Sequence, residues 1–255
     1  MKIALIQSDL YWEDVSKNRN AFESKINQID SEVNLIVLPE MFSTGFTMNA
    51  LAVAETMQGE TILWMQAMAK QKNCAITGSL VITENGQFYN RMFFVFSSGE
   101  IQYYNKRHLF TLAGEDKTYT AGTEKVIVDY LGWKICLQVC YDLRFPAFAR
   151  NIENYDLLIY VASWPKIRTN AWDILLQARA VENLSYVIGV NRVGVDANNY
   201  EYIGHSQVVD FLGNYLLEPQ ETEDVFVVEL DKNIMLETRK KLDFLSDKDI
   251  FEIKI

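Results

Sequence analysis

Residues 91–106, RMFFVFSSGEIQYYNK, decide the fold. Two runs rich in aromatic and β-branched residues flank Ser97-Ser98-Gly99-Glu100, a composition that reverses a chain, so a hairpin is predicted. The pattern returns in residues 204–219, GHSQVVDFLGNYLLEP, with strand, turn and strand at matching spacing. Each hairpin closes a similar plan. In the first half, KIALIQSD (2–9) reads as a strand and about 13–30 as a polar helix. VNLIVLPEM (33–41) is a buried strand, and GETILWMQAMAKQKN (59–73) carries Ile62, Met65, Met68 and Ala69 at helical spacing. CAITGSLVI (74–82) completes that half as a strand. In the second half, VIVDYLGWKICLQVCYD (126–142) forms a hairpin around Leu131-Gly132, and a short helix follows Arg144-Phe145-Pro146. YDLLIYVASW (155–164) and SYVIGVNRVGVD (185–196) read as strands on either side of the helix TNAWDILLQARAVENL (169–184).

Two such halves imply two sheets, each covered on its outer face by helices: an α/β fold built as a four-layer α–β–β–α sandwich. With only 4 Pro and no Gly/Ser-rich stretch, nothing divides the chain, so residues 1–255 are expected to form a single domain. Hydrophobic residues at 49% supply a large core, to which Met57, Met65 and Met68 are assigned.

The formal net charge of −10 disfavours nucleic acid and anionic membrane as partners, because both repel an acidic surface. No run approaches the roughly 20 apolar residues that span a bilayer, and MKIALIQSDLYW lacks the design of a signal peptide. Cys74, Cys136 and Cys140 are odd in number and show no paired CxxC spacing, which fits free thiols in a reducing cytoplasm. Only 2 His are present, neither at ligand spacing to a cysteine, so no metal is expected.

Three segments carry possible chemistry. Glu40, in Leu38-Pro39-Glu40-Met41-Phe42, follows a buried strand at the edge where α/β folds place their sites. It suits a general base, though a surface Glu ending a strand has the same signature. Lys106, in YNKRHLF (104–110), could place an ammonium where an oxyanion develops; a solvated basic turn reads the same way. Beside it His108 could serve a cysteine as base, or be a packed histidine. Finally, ICLQVCYDLRFP (135–146) is an apolar strand that ends in Cys140 and turns into a helix start, as a nucleophile elbow does. Cys136 and Cys74 fall inside strand-like runs and read as inert core.

Taken together and in order, these segments resemble the nitrilase superfamily of carbon–nitrogen hydrolases. Ala4-Leu5-Ile6-Gln7, ASWP (162–165) and QARAVENLSYVIGVNRVG (177–194) extend the likeness over nearly the whole chain. Details such as LPEMFSTGF, KRHLF and CYDLRFP are most similar to the bacterial omega-amidase branch. The resemblance implies a thiol amidase acting on the terminal amide of 2-oxoglutaramate or 2-oxosuccinamate, with no cofactor and no metal, and assembled as a homodimer. It implies Cys140 as nucleophile, Glu40 as base, and Lys106 with the Tyr141 N–H as oxyanion donors. An ammonium so placed would favour the thiolate. Glu115, in LAGEDKTYTAG, falls where many members carry a second glutamate, with Asp116 adjacent. A substrate carboxylate would be anchored by Arg144, Arg168 or Arg192, and Phe42, Phe110 and Trp164 would wall a small pocket. Alternatives remain: another branch such as a carbamoylase or aliphatic amidase, or a non-catalytic binding protein on the same fold. The tail FEIKI (251–255) is apolar enough to reach a neighbouring subunit or to add a strand to its own sheet.

Overall fold

The computed structural model describes residues 1–30 and 32–253. Alternation of side chains along each strand builds the layers. In β1 (Lys2–Gln7), Ile3 and Leu5 face the inter-sheet core while Ala4 and Ile6 face the helices, and Leu35/Val37 against Ile36 repeat this in β2 (Leu35–Val37). The outer helices of this half are α1 (Val15–Asn27), capped by the Asp14 carboxylate, and, past the short α2 (Ala50–Val53), α3 (Glu60–Lys72). Phe22, Ile26, Ile62, Met65 and Met68 cover the sheet from there, and Met57 packs partly buried against them. Strands β3 (Ala75–Glu84), β4 (Gln87–Val95) and β5 (Ile101–Asn105) complete the first half, the last two being the expected hairpin.

After the short α4 (Glu115–Thr118) the second half opens with β6 (Val126–Tyr130) and β7 (Trp133–Val139). It continues through the short α5 (Pro146–Ala149), β8 (Leu157–Val161), α6 (Thr169–Asn183) and β9 (Tyr186–Val190). A small hairpin, β10 (Val193–Val195) and β11 (Glu201–Ile203), precedes β12 (Ser206–Val209) and β13 (Tyr215–Gln220). The chain then returns through β14 (Asp224–Glu229) and α7 (Lys232–Leu242).

Two six-stranded sheets result, ordered β14-β1-β2-β3-β4-β5 and β6-β7-β8-β9-β12-β13. Strand for strand the halves correspond: parallel triplets β1-β2-β3 and β7-β8-β9 in the centre, antiparallel pairs outside. The sandwich is therefore the expected α–β–β–α architecture. One departure concerns SYVIGVNRVGVD, which is two strands, because the chain leaves the sheet at Asn191-Arg192. Another concerns the tail. Phe251–Ile253 form no strand, and the rest of FEIKI lies outside the described residues. The edge place beside β1 is taken by β14, paired over its whole length from Lys2↔Glu229 to Gln7↔Asp224.

Parallel strands carry their C-terminal ends to one edge, where open α/β sheets place ligands. Glu40 lies just past β2, Cys140 immediately past β7, Ser163 just past β8, and Lys106 immediately past β5. No helix among the described residues is long and apolar enough to cross a membrane.

Candidate active site

The nucleophile elbow is held open by its own backbone. Cys140 adopts φ +46°, a left-handed conformation costing about 1–2 kcal/mol for a residue with a Cβ. Something must hold it there, and Asp142 does. Its Oδ2 accepts from the Val139 N–H at 2.9 Å and the Tyr104 hydroxyl at 2.8 Å. Its Oδ1 accepts from the His108 N–H at 2.9 Å and pairs with His108 Nδ1 at 2.7 Å. From the other side, Arg179 of α6 donates to the Leu143 carbonyl at 2.6 Å. His108 is thus tied to Asp142 and stacked on Phe145, with ring centroids 3.7 Å apart, and belongs to the scaffold of the elbow.

Behind the thiol, Glu40, Lys106 and Glu115 are buried. Lys106 Nζ lies 2.9 Å from Glu40 Oε1 and 3.0 and 2.9 Å from the two oxygens of Glu115. The Phe110 N–H anchors Glu115 Oε2 at 2.6 Å, and Asp116 is exposed, so Glu115 is the carboxylate that joins the cluster. Glu40 Oε2 accepts from the Ser163 N–H at 2.8 Å. Asn90 Nδ2 donates to both carboxylates, at 2.8 Å to Glu40 Oε1 and 3.2 Å to Glu115 Oε1.

Charge in this cluster is unbalanced, one ammonium against two carboxylates. Burial would depress the Lys106 ammonium, but Glu115 and then Glu40 outweigh it and hold the group well above its ordinary range. For Glu115, burial pushes the carboxyl up, offset by Lys106 and reinforced by Glu40. The Cys140 thiol is also pushed well above its ordinary range, by burial first and the Glu40 carboxylate second, and Lys106 only partly offsets this. This corrects the expectation that the ammonium would favour a resting thiolate. Its charge is committed to two carboxylates, so the thiol rests neutral with a base beside it.

Cys140 opens onto a cavity of about 580 Å³. Tyr141, Phe110, Trp164 and Arg144 line it as expected, together with Arg168. Arg144 lies over the Trp164 ring at 4.9 Å and Arg168 over the Phe110 ring at 5.1 Å. Arg192 does not reach the cavity; it is buried, ion-paired with Asp9 at 2.8 Å and stacked on Tyr202. Phe42 is likewise no wall of the pocket. Past Met41, itself at φ +44°, the chain turns back and Phe42 packs into the helix-side core, edge-on to Phe22 at 5.3 Å. Gly78 makes room for it, since a Cβ there would stand 3.0 Å from the Phe42 ring. The wall position falls to Phe46, whose ring centre is 5.3 Å from Lys106 Nζ. Sequence reasoning assigned no role to Asn90, Asp142, Phe46 or the Ser163 N–H. The polar pair Asn90-Arg91 at the head of the apolar run MFFV was the available signal for Asn90. A backbone donor such as Ser163 N–H leaves no signal in the sequence.

This geometry can run acyl transfer through sulfur. The thiol has a carboxylate beside it for its proton. The Tyr141 N–H, in the first turn after the elbow, has no intrahelical acceptor, and the Lys106 ammonium, hydrogen-bonded to Glu40 and to both oxygens of Glu115, supplies positive charge to the same cluster. Among the described residues, no group of three or more His, Cys, Asp or Glu is arranged to hold a metal ion.

Comparison with known proteins identifies relatives along nearly the whole chain. The family model for carbon-nitrogen hydrolases matches residues 2–240. Omega-amidase YafV of Yersinia enterocolitica is 41% identical over 257 residues, covering 98% of each chain. Omega-amidase YafV of Escherichia coli K12 is 40% identical over 254 residues, covering 99% of this chain and 98% of its own. Among solved structures, XC1258 from Xanthomonas campestris, a CN-hydrolase superfamily protein with an arsenic adduct in its active site, superposes with a TM-score of 0.97. It is 39% identical and covers 100% of this chain and 99% of its own.

Proposed function

The chain belongs to the carbon-nitrogen hydrolase family, and from that premise we propose that it removes the terminal amide of small 2-oxo dicarboxylate monoamides, such as 2-oxoglutaramate and 2-oxosuccinamate. The coarser activity, amide hydrolysis through a cysteine nucleophile, is common to the family and matches the site. In the first step the Cys140 proton passes to Glu40 as sulfur bonds to the amide carbon. Lys106 and the Tyr141 N–H hold the oxyanion. Collapse breaks the carbon–nitrogen bond, the proton on Glu40 leaves with the nitrogen as ammonia, and a thioester remains. Glu40 then takes a proton from water, whose oxygen attacks the thioester; collapse releases the acid and returns the proton to sulfur.

The observation that carries the substrate class is the pair Arg144 and Arg168 on the cavity wall. Among the described residues neither is paired with a carboxylate, whereas Arg192 is consumed by Asp9. A guanidinium held on an aromatic face and left without an anion is a ready partner for a substrate carboxylate. Ammonia release from 2-oxoglutaramate, measured beside glutamine, asparagine and an N-carbamoyl amino acid, tests the reading. Turnover of the oxo-amide, abolished in Cys140→Ala, is expected. Arg168→Leu should raise KM about 10–100-fold, the loss of a charge-assisted hydrogen bond, without affecting an uncharged aliphatic amide. Turnover confined to the carbamoyl compound would transfer the protein to another branch.

A further inference from the structure

Asn90 sits in mid-β4, 1% exposed, and its backbone carbonyl accepts the Lys106 N–H at 2.9 Å. Its side chain does more. Four atoms form a closed ring of alternating donors and acceptors: Asn90 Nδ2, Glu40 Oε1, Lys106 Nζ and Glu115 Oε1, joined at 2.8, 2.9, 3.0 and 3.2 Å. The two donors bridge the two carboxylates from opposite sides. Asn90 Oδ1 makes no hydrogen bond among the described residues, so the contribution of the carboxamide is its NH₂ end.

We propose that Asn90 is a positioning residue that selects which oxygen of Glu40 receives the thiol proton. Glu40 Oε1 is occupied by two donors, Lys106 Nζ and Asn90 Nδ2, while among the described residues Oε2 accepts only the Ser163 N–H. The free acceptor site on Glu40 is therefore at Oε2, and the ring keeps the carboxylate from rotating to exchange the two. Neutrality of Asn90 is part of the role. A third carboxylate here would present acceptors to both glutamates, and a second ammonium would cancel the excess negative charge that makes Glu40 a base. The other titratable neighbour, Tyr119, has its hydroxyl committed to the Thr47 carbonyl at 2.6 Å, so it cannot replace the missing donor.

The inference rests on Glu40 serving as base to Cys140 and not on the identity of the amide, so the test reads the thiol directly. Iodoacetamide alkylation of Cys140 would be followed by mass spectrometry across pH in the wild type and in Asn90→Leu, Asn90→Ser and Asn90→Asp, beside kcat and KM on whichever amide the wild type turns over. Asn90→Leu should slow alkylation at neutral pH and lower kcat about 10–100-fold, with KM changed less than about threefold. The acid limb of kcat/KM should move to higher pH, since the carboxylates lose a donor to their charged form. Asn90→Ser, keeping one donor in a smaller side chain, should fall between Asn90→Leu and the wild type, and Asn90→Asp should be the most impaired. An Asn90→Asp enzyme as fast as the wild type, or an Asn90→Leu enzyme with an unmoved acid limb, overturns the proposal. If Asn90→Leu fails to fold, the order of Asn90→Ser against Asn90→Asp decides. A wild type whose Cys140 alkylates normally but which ignores oxo-amides would refute the substrate reading and leave this one standing.

Discussion

Replacing Asp142 by Asn is nearly isosteric, yet it should disable the elbow. All four hydrogen bonds to the carboxylate come from donors: Val139 N–H and Tyr104 O–H on one oxygen, His108 N–H and its ring on the other. An asparagine can keep its oxygen toward His108, but its NH₂ then faces the Val139 N–H, which loses its only side-chain acceptor. The Tyr104 hydroxyl would have to reverse while still receiving the Arg107 N–H at 3.0 Å. One buried donor left unsatisfied, plus the lost charge on the remaining bonds, amounts to about 3 kcal/mol. For a chain of this length that corresponds to a fall in Tm of roughly 6–12 °C. Cys140 would then relax from φ +46° and withdraw its sulfur, and a shift of about 1 Å should cost roughly 100-fold in kcat. Differential scanning calorimetry and steady-state kinetics on Asp142→Asn test both numbers, with Tyr104→Phe expected to lose about 1 kcal/mol. An Asp142→Asn enzyme melting within about 2 °C of the wild type and turning over within threefold would refute the assignment of Asp142 as the lock.

Two more expectations concern the buried charges. Lys106→Met leaves the carboxylates of Glu40 and Glu115 facing each other without a cation, and breaking such a pair should cost about 3–5 kcal/mol of stability. Urea unfolding would measure this, with part of the loss recovered on acidification as one carboxyl protonates; a variant as stable as the wild type at neutral pH contradicts it. Alkaline stability follows from the thiols and Lys106. Burial pushes Cys74 up to about 11 and Cys136 up to about 12, and holds Cys140 well above its usual range, while the two glutamates hold Lys106 above its ordinary 10.5 against the effect of burial. Each raised group keeps in the native state a proton that the unfolded chain has released, so the contribution of the thiols is lost as pH rises past their ordinary value of 9.0 and that of Lys106 only past 10.5. Thermal melts should show Tm falling from about pH 8 to about pH 10; a level or rising Tm would remove the argument.

Much of this protein was legible in one dimension because its information is periodic or local. Strand alternation in KIALIQ and LIV, helical spacing in ETILWMQAMAKQK, and the repeated hairpin of residues 91–106 and 204–219 depend only on neighbours a few positions apart, and they determine the two-sheet sandwich. Glu40, Lys106 and Cys140 each end a strand, a position that a surface glutamate or a basic turn shares, and it was the resemblance of their motifs, taken in order, to the nitrilase superfamily that singled them out. Distance across the fold decided the rest. β14 pairs with β1 from the far end of the chain, which no local pattern announces. Phe42 and Phe46 have the same chemistry four residues apart, and only the left-handed turn at Met41 sends one to the core and the other to the cavity. Asn90, 50 positions from Glu40, acquires a role only when two carboxylates meet beside it, and the resting state of Cys140 is set by charges drawn from three separate segments. Periodicity depends on nearest neighbours along the chain, whereas electrostatics depends on neighbours in space, and only tertiary structure brings the latter together.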